Sequence, residues 1–198
     1  MPHPNRVDPE GRLHAVPHRL AWYGNRGCLH DAAGHVRRAW QGTRWITCVL
    51  DFKGRRRTLL QHGRFTELFF LDEASAYAAG HRPCAECRRA DWERFRDLWA
   101  ARFGEDRAGP IDARLHAARL DGRVRRLCRW PADQVPAGAM IRDATGPVLR
   151  GVRGWWRWSF EGYAEVPEPV GPTSLLTPEP LVQLMAEGLP VQIHASAN

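Results

Sequence analysis

Apolar positions change their spacing along the chain, and each change marks an element. RWITCVLDF (44–52) is apolar and β-branched, which predicts a strand. RFTELFFL (64–71) predicts a second one. Asp72 is placed to cap a short helix over EASAYAA (73–79), which Gly80 ends. In RRADWERFRDLWAARF (88–103) the period becomes three and four. Trp92, Phe95, Trp99 and Phe103 form an apolar stripe, opposite Arg94, Asp97 and Arg102, as in an amphipathic helix.

Ahead of these elements, residues 1–20 read as an extended arm with little regular structure, and AWYGNRGCLHD (21–31) as a turn-rich segment. Behind them, FGEDRAGP (103–110) reads as a boundary. IDARLHAARLDG (111–122) predicts a helix closed by Gly122, and AMIRDATGPVLRGV (139–152) a hairpin turning at Asp143–Gly146. WWRWSFEGY (155–163) predicts a further strand. PEPVGP (167–172) is a linker. TPEPLVQLMAEG (177–188) predicts a last helix, with Thr177 as N-cap and Gly188 past its end. The order of elements predicts an α+β protein. Residues 1–105 would form a small zinc-knuckle unit with a strand pair and helices. Residues 106–198 would form a C-terminal α+β extension.

Composition adds a partner. The 198 residues carry a net charge of +7, and Lys53 is the only lysine. Arginine forks pair bidentately with phosphate and stack on bases, so the excess suits a nucleic acid: DNA, with RNA as an alternative. The nine tryptophans fit core packing, and some could stack on bases. No run approaches the ~18 apolar residues of a membrane span, and the polar, proline-rich start carries no signal-peptide pattern. A cytoplasmic location is expected. In a reducing compartment the five cysteines point to metal, catalysis or burial rather than disulfides.

The chemistry centres on GHRPCAECRR (80–89). A Cys-x-x-Cys pair lets two thiolates converge on one metal. Arg82, Arg88 and Arg89 around it would favour thiolate over thiol, as would the positive end of the helix that follows. The βαβ context of a redox CxxC is missing. The stretch FFLDEASAYAAGHRPCAECRRAD resembles the second half of the Ada-type metal-binding module of bacterial DNA repair proteins. The likeness covers about residues 64–91. It implies a four-cysteine zinc site on DNA, with Cys84 and Cys87 as the second cysteine pair. In that family one zinc thiolate accepts a methyl group from a DNA phosphotriester. The family's first cysteine pair is closely spaced, whereas the upstream candidates here, Cys28 and Cys48, stand twenty residues apart. The expected ligand set is Cys28, Cys48, Cys84 and Cys87, with His30 and His81 as substitutes and Cys128 free. Strand alternation puts Cys48 on one face with Leu50 and Phe52, so a core role for Cys48 stays open.

A second constellation lies on the other face of the same strand. Asp51 and Lys53 share it, and Asp31 lies upstream after a turn. Asp…Asp-x-Lys is the arrangement of PD-(D/E)xK nucleases, in which two carboxylates hold Mg²⁺ or Mn²⁺ and the lysine assists the attacking water. A solvated strand face gives the same pattern. Glu67 is a candidate third acid. Arg55, Arg56 and Arg57 in GRRR, with Arg82, Arg88 and Arg89, are the candidate phosphate contacts. His116 and His194 are lone histidines without partners in the pattern.

The sequence therefore sets three expectations. The first is a zinc-stabilised DNA-interacting protein of DNA repair, with the zinc structural. The second is a metal-dependent DNA endonuclease using Asp31, Asp51 and Lys53. The third is alkyl transfer to a zinc-bound cysteine, Cys48 or Cys28. The balance leans toward an enzyme acting on the DNA backbone.

Overall fold

A computed structural model describes residues 2–55 and 58–197. The chain is α+β, with short strands in two main sheets and four α-helices among the described residues. The first sheet takes its strands from the N-terminal half: β1 (Arg6–Val7), β2 (Leu13–His14), β3 (Trp22–Asn25), β4 (Ile46–Cys48), β5 (Leu68–Phe70) and β6 (Arg82–Pro83). Their spatial order is β2-β1-β5-β3-β4-β6, with β1–β5 and β4–β6 parallel. A small ribbon pairs β7 (Leu120–Asp121) with β8 (Val124–Arg125). The second sheet joins β9 (Met140–Asp143), β10 (Gly146–Arg150), β11 (Trp155–Ser159), β12 (Gly162–Val166) and β13 (Ser174–Leu175) in antiparallel pairs.

The helices are α1 (Glu73–Ala78), α2 (Arg89–Phe103), α3 (Ala108–Arg119) and α4 (Glu179–Ala186). None of them is long and apolar enough to cross a membrane. Asp72 caps α1 in a capping box with Ser75, accepting from Ser75 N at 2.8 Å. The stripe of α2 is buried as its spacing predicts: Trp92, Phe95 and Trp99 are in the core and Phe103 packs against it. Burying each of these rings contributes roughly 1.5–3 kcal/mol.

Two apolar clusters join residues from either side of position 105. The α2 stripe meets Ile141, Val148 and Leu181, while Leu71, Ala74 and Ala78 meet Met140, Leu149 and Tyr163. The Tyr163 hydroxyl and the His194 amide both donate to Asp72 Oδ2, at 2.9 and 3.0 Å.

Several elements differ from the sequence reading. The N-terminal arm is not loose: Asn5 and Val7 are fully buried, and β1 joins the sheet beside β5. The segment read as turns contains β3, which sits between β4 and β5. Gly24 hid it. In a strand a glycine reads as a break, but here a Cβ would lie 2.4 Å from Ile46 O, so only glycine lets β3 and β4 approach. The strand expected over 44–52 ends at Cys48. The chain then turns through left-handed Lys53 (φ 55°) and Gly54 (φ 62°). The strand expected over 155–163 is two, β11 and β12, folded back at Phe160–Glu161.

Candidate metal centre

The parallel pair β4–β6 builds the site. Cys84 N donates to Thr47 O at 2.9 Å, which seats Cys84 beside Cys48. The chain then coils, with Arg88 N donating to Cys84 O at 3.1 Å, and this returns Cys87 to the same place. The sulfurs of Cys48, Cys84 and Cys87 all lie within 4.8 Å of one another. Four tetrahedral thiolates at about 2.3 Å from zinc stand roughly 3.8 Å apart, so this spacing suits one metal ion. The three cysteines could hold one.

Of the three sulfurs, Cys84 is the one favoured to ionise, while Cys48 and Cys87 are shifted up. Cys48 and Cys87 donate to Cys84 and hold its thiol far below the usual range, and the amide of Glu86 adds a contact at 3.5 Å. Cys48 is pushed far up, because its proton is held against Cys84. A cation would favour ionisation of all three.

Buried arginines fasten the knuckle. Arg82 gives Nε and Nη2 to the two carboxylate oxygens of Asp112, each at 2.8 Å, and lies over Trp92 at 4.4 Å. Arg88 pairs with Glu73 and Asp91 and lies over Trp22. Both were expected to touch nucleic acid, and both instead spend their charge inside the protein. Arg89 is exposed and paired with Glu93 at 2.7 Å. Arg55 is exposed and paired with Glu86 at 2.8 Å. Arg56 and Arg57 lie outside the described residues.

The cysteine trio forms part of the wall of a cleft of about 500 Å³. Its floor is one face of the six-stranded sheet. Register explains the lining: Tyr23 pairs with Cys48 on one side and Phe69 on the other. Phe52 and Phe65 add aromatic wall, and the exposed Arg44 and Arg55 give it positive charge. Sequence reasoning missed Tyr23 and Arg44 here. Alternation along the second strand was the one signal available for Phe69.

The other expected ligands lie elsewhere. Cys28 stands outside the sulfur cluster, with its thiol directed at His30 O at 3.6 Å and its amide donating to Gln41 Oε1 at 2.9 Å. His30 is held by Thr66 Oγ1 at 2.7 Å and Gln61 O at 3.2 Å. His81 is fully buried against Phe70 and Trp45, and burial keeps its imidazole neutral. Cys128 is exposed.

The nuclease constellation does not assemble. Because β4 ends at Cys48, Asp51 and Lys53 fall in an exposed turn rather than on a strand face. Asp31 Oδ1 accepts from the amides of Ala33 and His35, both at 2.9 Å, and Oδ2 from Arg37 Nε at 2.7 Å. These bonds lower its carboxyl to about 2 and fix its own loop. Glu67 is buried and accepts from Leu60 N at 2.9 Å, on the cleft side of the sheet. Among the described residues, no group of acids converges as the three cysteines do.

No protein-family profile, curated protein or solved structure matches the chain.

Proposed function

We propose that the chain is a zinc protein that acts on DNA in the repair of damaged strands. Cys48, Cys84 and Cys87 are the zinc ligands in this reading. The single observation that carries it is the position of the three sulfurs in the wall of the 500 Å³ cleft, not sealed in the core. Three soft donors select zinc over magnesium or calcium, and a site with three protein ligands would leave a fourth position for water or substrate. The cleft is where that ligand would come from. Its aromatic wall and its arginines suit an unstacked base with its phosphate backbone. The likeness of residues 64–91 to the Ada-type module supports the same substrate class.

A second reading has its own support. Cys87 is the least buried of the three thiols, so one sulfur meets the cleft. In alkyl transfer a sulfur would attack the methyl carbon of a phosphotriester. The S–C bond forms, the C–O bond breaks, and the diester leaves with the electron pair. Zinc would hold the sulfurs deprotonated for such a step.

Mobility shift and intact mass on plain and methylated DNA test both readings. Salt-sensitive binding with unchanged protein mass supports the binding module. A single-turnover gain of one methyl on a cleft cysteine supports transfer. Absence of binding to either DNA would remove the proposal.

A further inference from the structure

A second cavity lies across the sheet from the metal cleft. Pleating sends Ile46 and Cys48 to the cleft and Trp45 to the other side, and it separates Asn25 from Arg26 in the same way. This cavity has a volume of about 130 Å³ and is walled by Arg26, Trp45, Arg119 and Arg125, with Arg123 and one acid, Glu10, also lining it. Arg26 and Arg119 are only 2% and 3% exposed. Their guanidinium carbons lie 5.1 and 4.6 Å from the ring centre of Trp45. Arg125 joins them at Gly11, where a Cβ would lie 3.3 Å from Arg125 Nη1 and 3.4 Å from Arg26 Nη1.

These forks are underused. Arg26 Nη2 donates to Gly11 O at 2.7 Å, and Arg119 Nη1 to Thr43 O at 3.0 Å. Arg125 Nη2 bonds the carbonyls of Ala78 and Leu176. Arg26 Nε, Arg119 Nε and Nη2, and Arg125 Nε are buried with no partner. Carboxylates lie near these arginines, Asp8 by Arg26 and Arg125, Glu10 by Arg125 and Asp112 by Arg119, but each also has a partner outside the cluster. Asp8 accepts from His14 Nε2 at 2.8 Å and Arg12 N at 2.9 Å, Glu10 pairs with Arg12 and Arg142, and Asp112 holds Arg82. Burial lowers Arg119 to about 9 and Arg26 and Arg125 to about 10, against the opposing pull of Asp112 on Arg119, of Asp8 on Arg26, and of Asp8 and Glu10 on Arg125. All three stay cationic at neutral pH. Buried cationic donors left without a partner are unfavourable, and an anion in the cavity would offset the charge they share.

We propose that this cavity binds a phosphate group. Guanidinium forks match phosphate oxygens in pairs, and three converge here. The volume is below the ~300 Å³ at which pockets for whole organic ligands begin, so the occupant is a small anion or the end of a larger molecule. Free inorganic phosphate and the terminal phosphate of a strand share this chemistry. The site needs neither the metal nor the reading given to the cleft.

Isothermal titration at constant ionic strength tests the site with inorganic phosphate, a 5′-phosphorylated oligonucleotide and its 5′-hydroxyl counterpart. Saturable phosphate binding is expected, abolished in Arg119→Met and weakened about tenfold in Arg123→Glu, whose side chain is exposed. Tighter binding of the phosphorylated strand than of the hydroxyl strand assigns the site to strand ends. Binding of inorganic phosphate without that preference assigns it to the free ion. No heat and no phosphate-dependent rise in Tm would overturn the proposal. So would undiminished phosphate binding in Arg123→Glu.

Discussion

Arg82 and Asp112 form a buried, two-pronged ion pair between the residue two before Cys84 and the first turns of α3. Neither side chain is more than 5% exposed. The pair therefore fixes the base of the knuckle to a helix thirty positions along the chain. Removing one partner would leave the other charged, buried and unpaired.

Asp112→Asn and Arg82→Met are each expected to cost about 3–5 kcal/mol of stability. The double variant should recover part of that loss, since it leaves no orphan charge. Urea unfolding of the four proteins measures this. Single variants within about 1 kcal/mol of the parent would contradict the account.

Gly24→Ala should act on the metal centre from the neighbouring strand. The added Cβ meets Ile46 O at 2.4 Å and must push β4 away, carrying Cys48 with it. The expected result is a loss of roughly 1–3 kcal/mol together with weaker metal retention. Competition with a chelator reads the second effect. Unchanged retention would show that β3 does not position Cys48.

Asp143 and Arg157 give the second sheet a pH dependence. Burial raises the Asp143 carboxyl, but Arg157 at 2.6 Å and the bonds from Thr145 outweigh it and bring it to about 2. A depressed carboxyl stabilises above its unfolded value near ~3.9 and loses that contribution as pH falls toward 2. The Tm gap between the parent and Asp143→Asn should be full at pH 6 and shrink below about pH 4. A gap that is constant across that range would be the contrary result.

The arginines divide into two groups under DNA titration. Arg44 and Arg55 are exposed at the cleft, so Arg44→Ala and Arg55→Ala should each reduce the salt slope of binding by about one. Arg88→Met should leave the slope alone and lower Tm, because Arg88 is committed to Glu73. Equal slopes in all the proteins would separate DNA binding from this cleft.

What was legible in the sequence follows from how local each signal is. The α2 stripe and the Asp72 cap depend on residues within one or two turns, and both were read correctly. The CxxC pair was legible for the same reason. The third cysteine was harder, because Cys48 joins the pair through a parallel strand contact that no spacing encodes. Cys28 looked equivalent by type and separation, yet its loop holds it against His30 O. Asp51 and Lys53 were misplaced because alternation was carried past Cys48, where β3 no longer supports the strand. The buried arginine cluster was invisible: Arg26, Arg119 and Arg125 come from three distant segments and resemble any other arginine in a chain rich in them.

Zinc content of the purified protein, and of its cysteine variants, tests the central claim most directly. About one zinc per chain is expected in the parent and in Cys28→Ser, with loss from Cys48→Ser, Cys84→Ser and Cys87→Ser. A parent without zinc would contradict the account, as would a Cys48→Ser protein that keeps its metal while Cys28→Ser loses it.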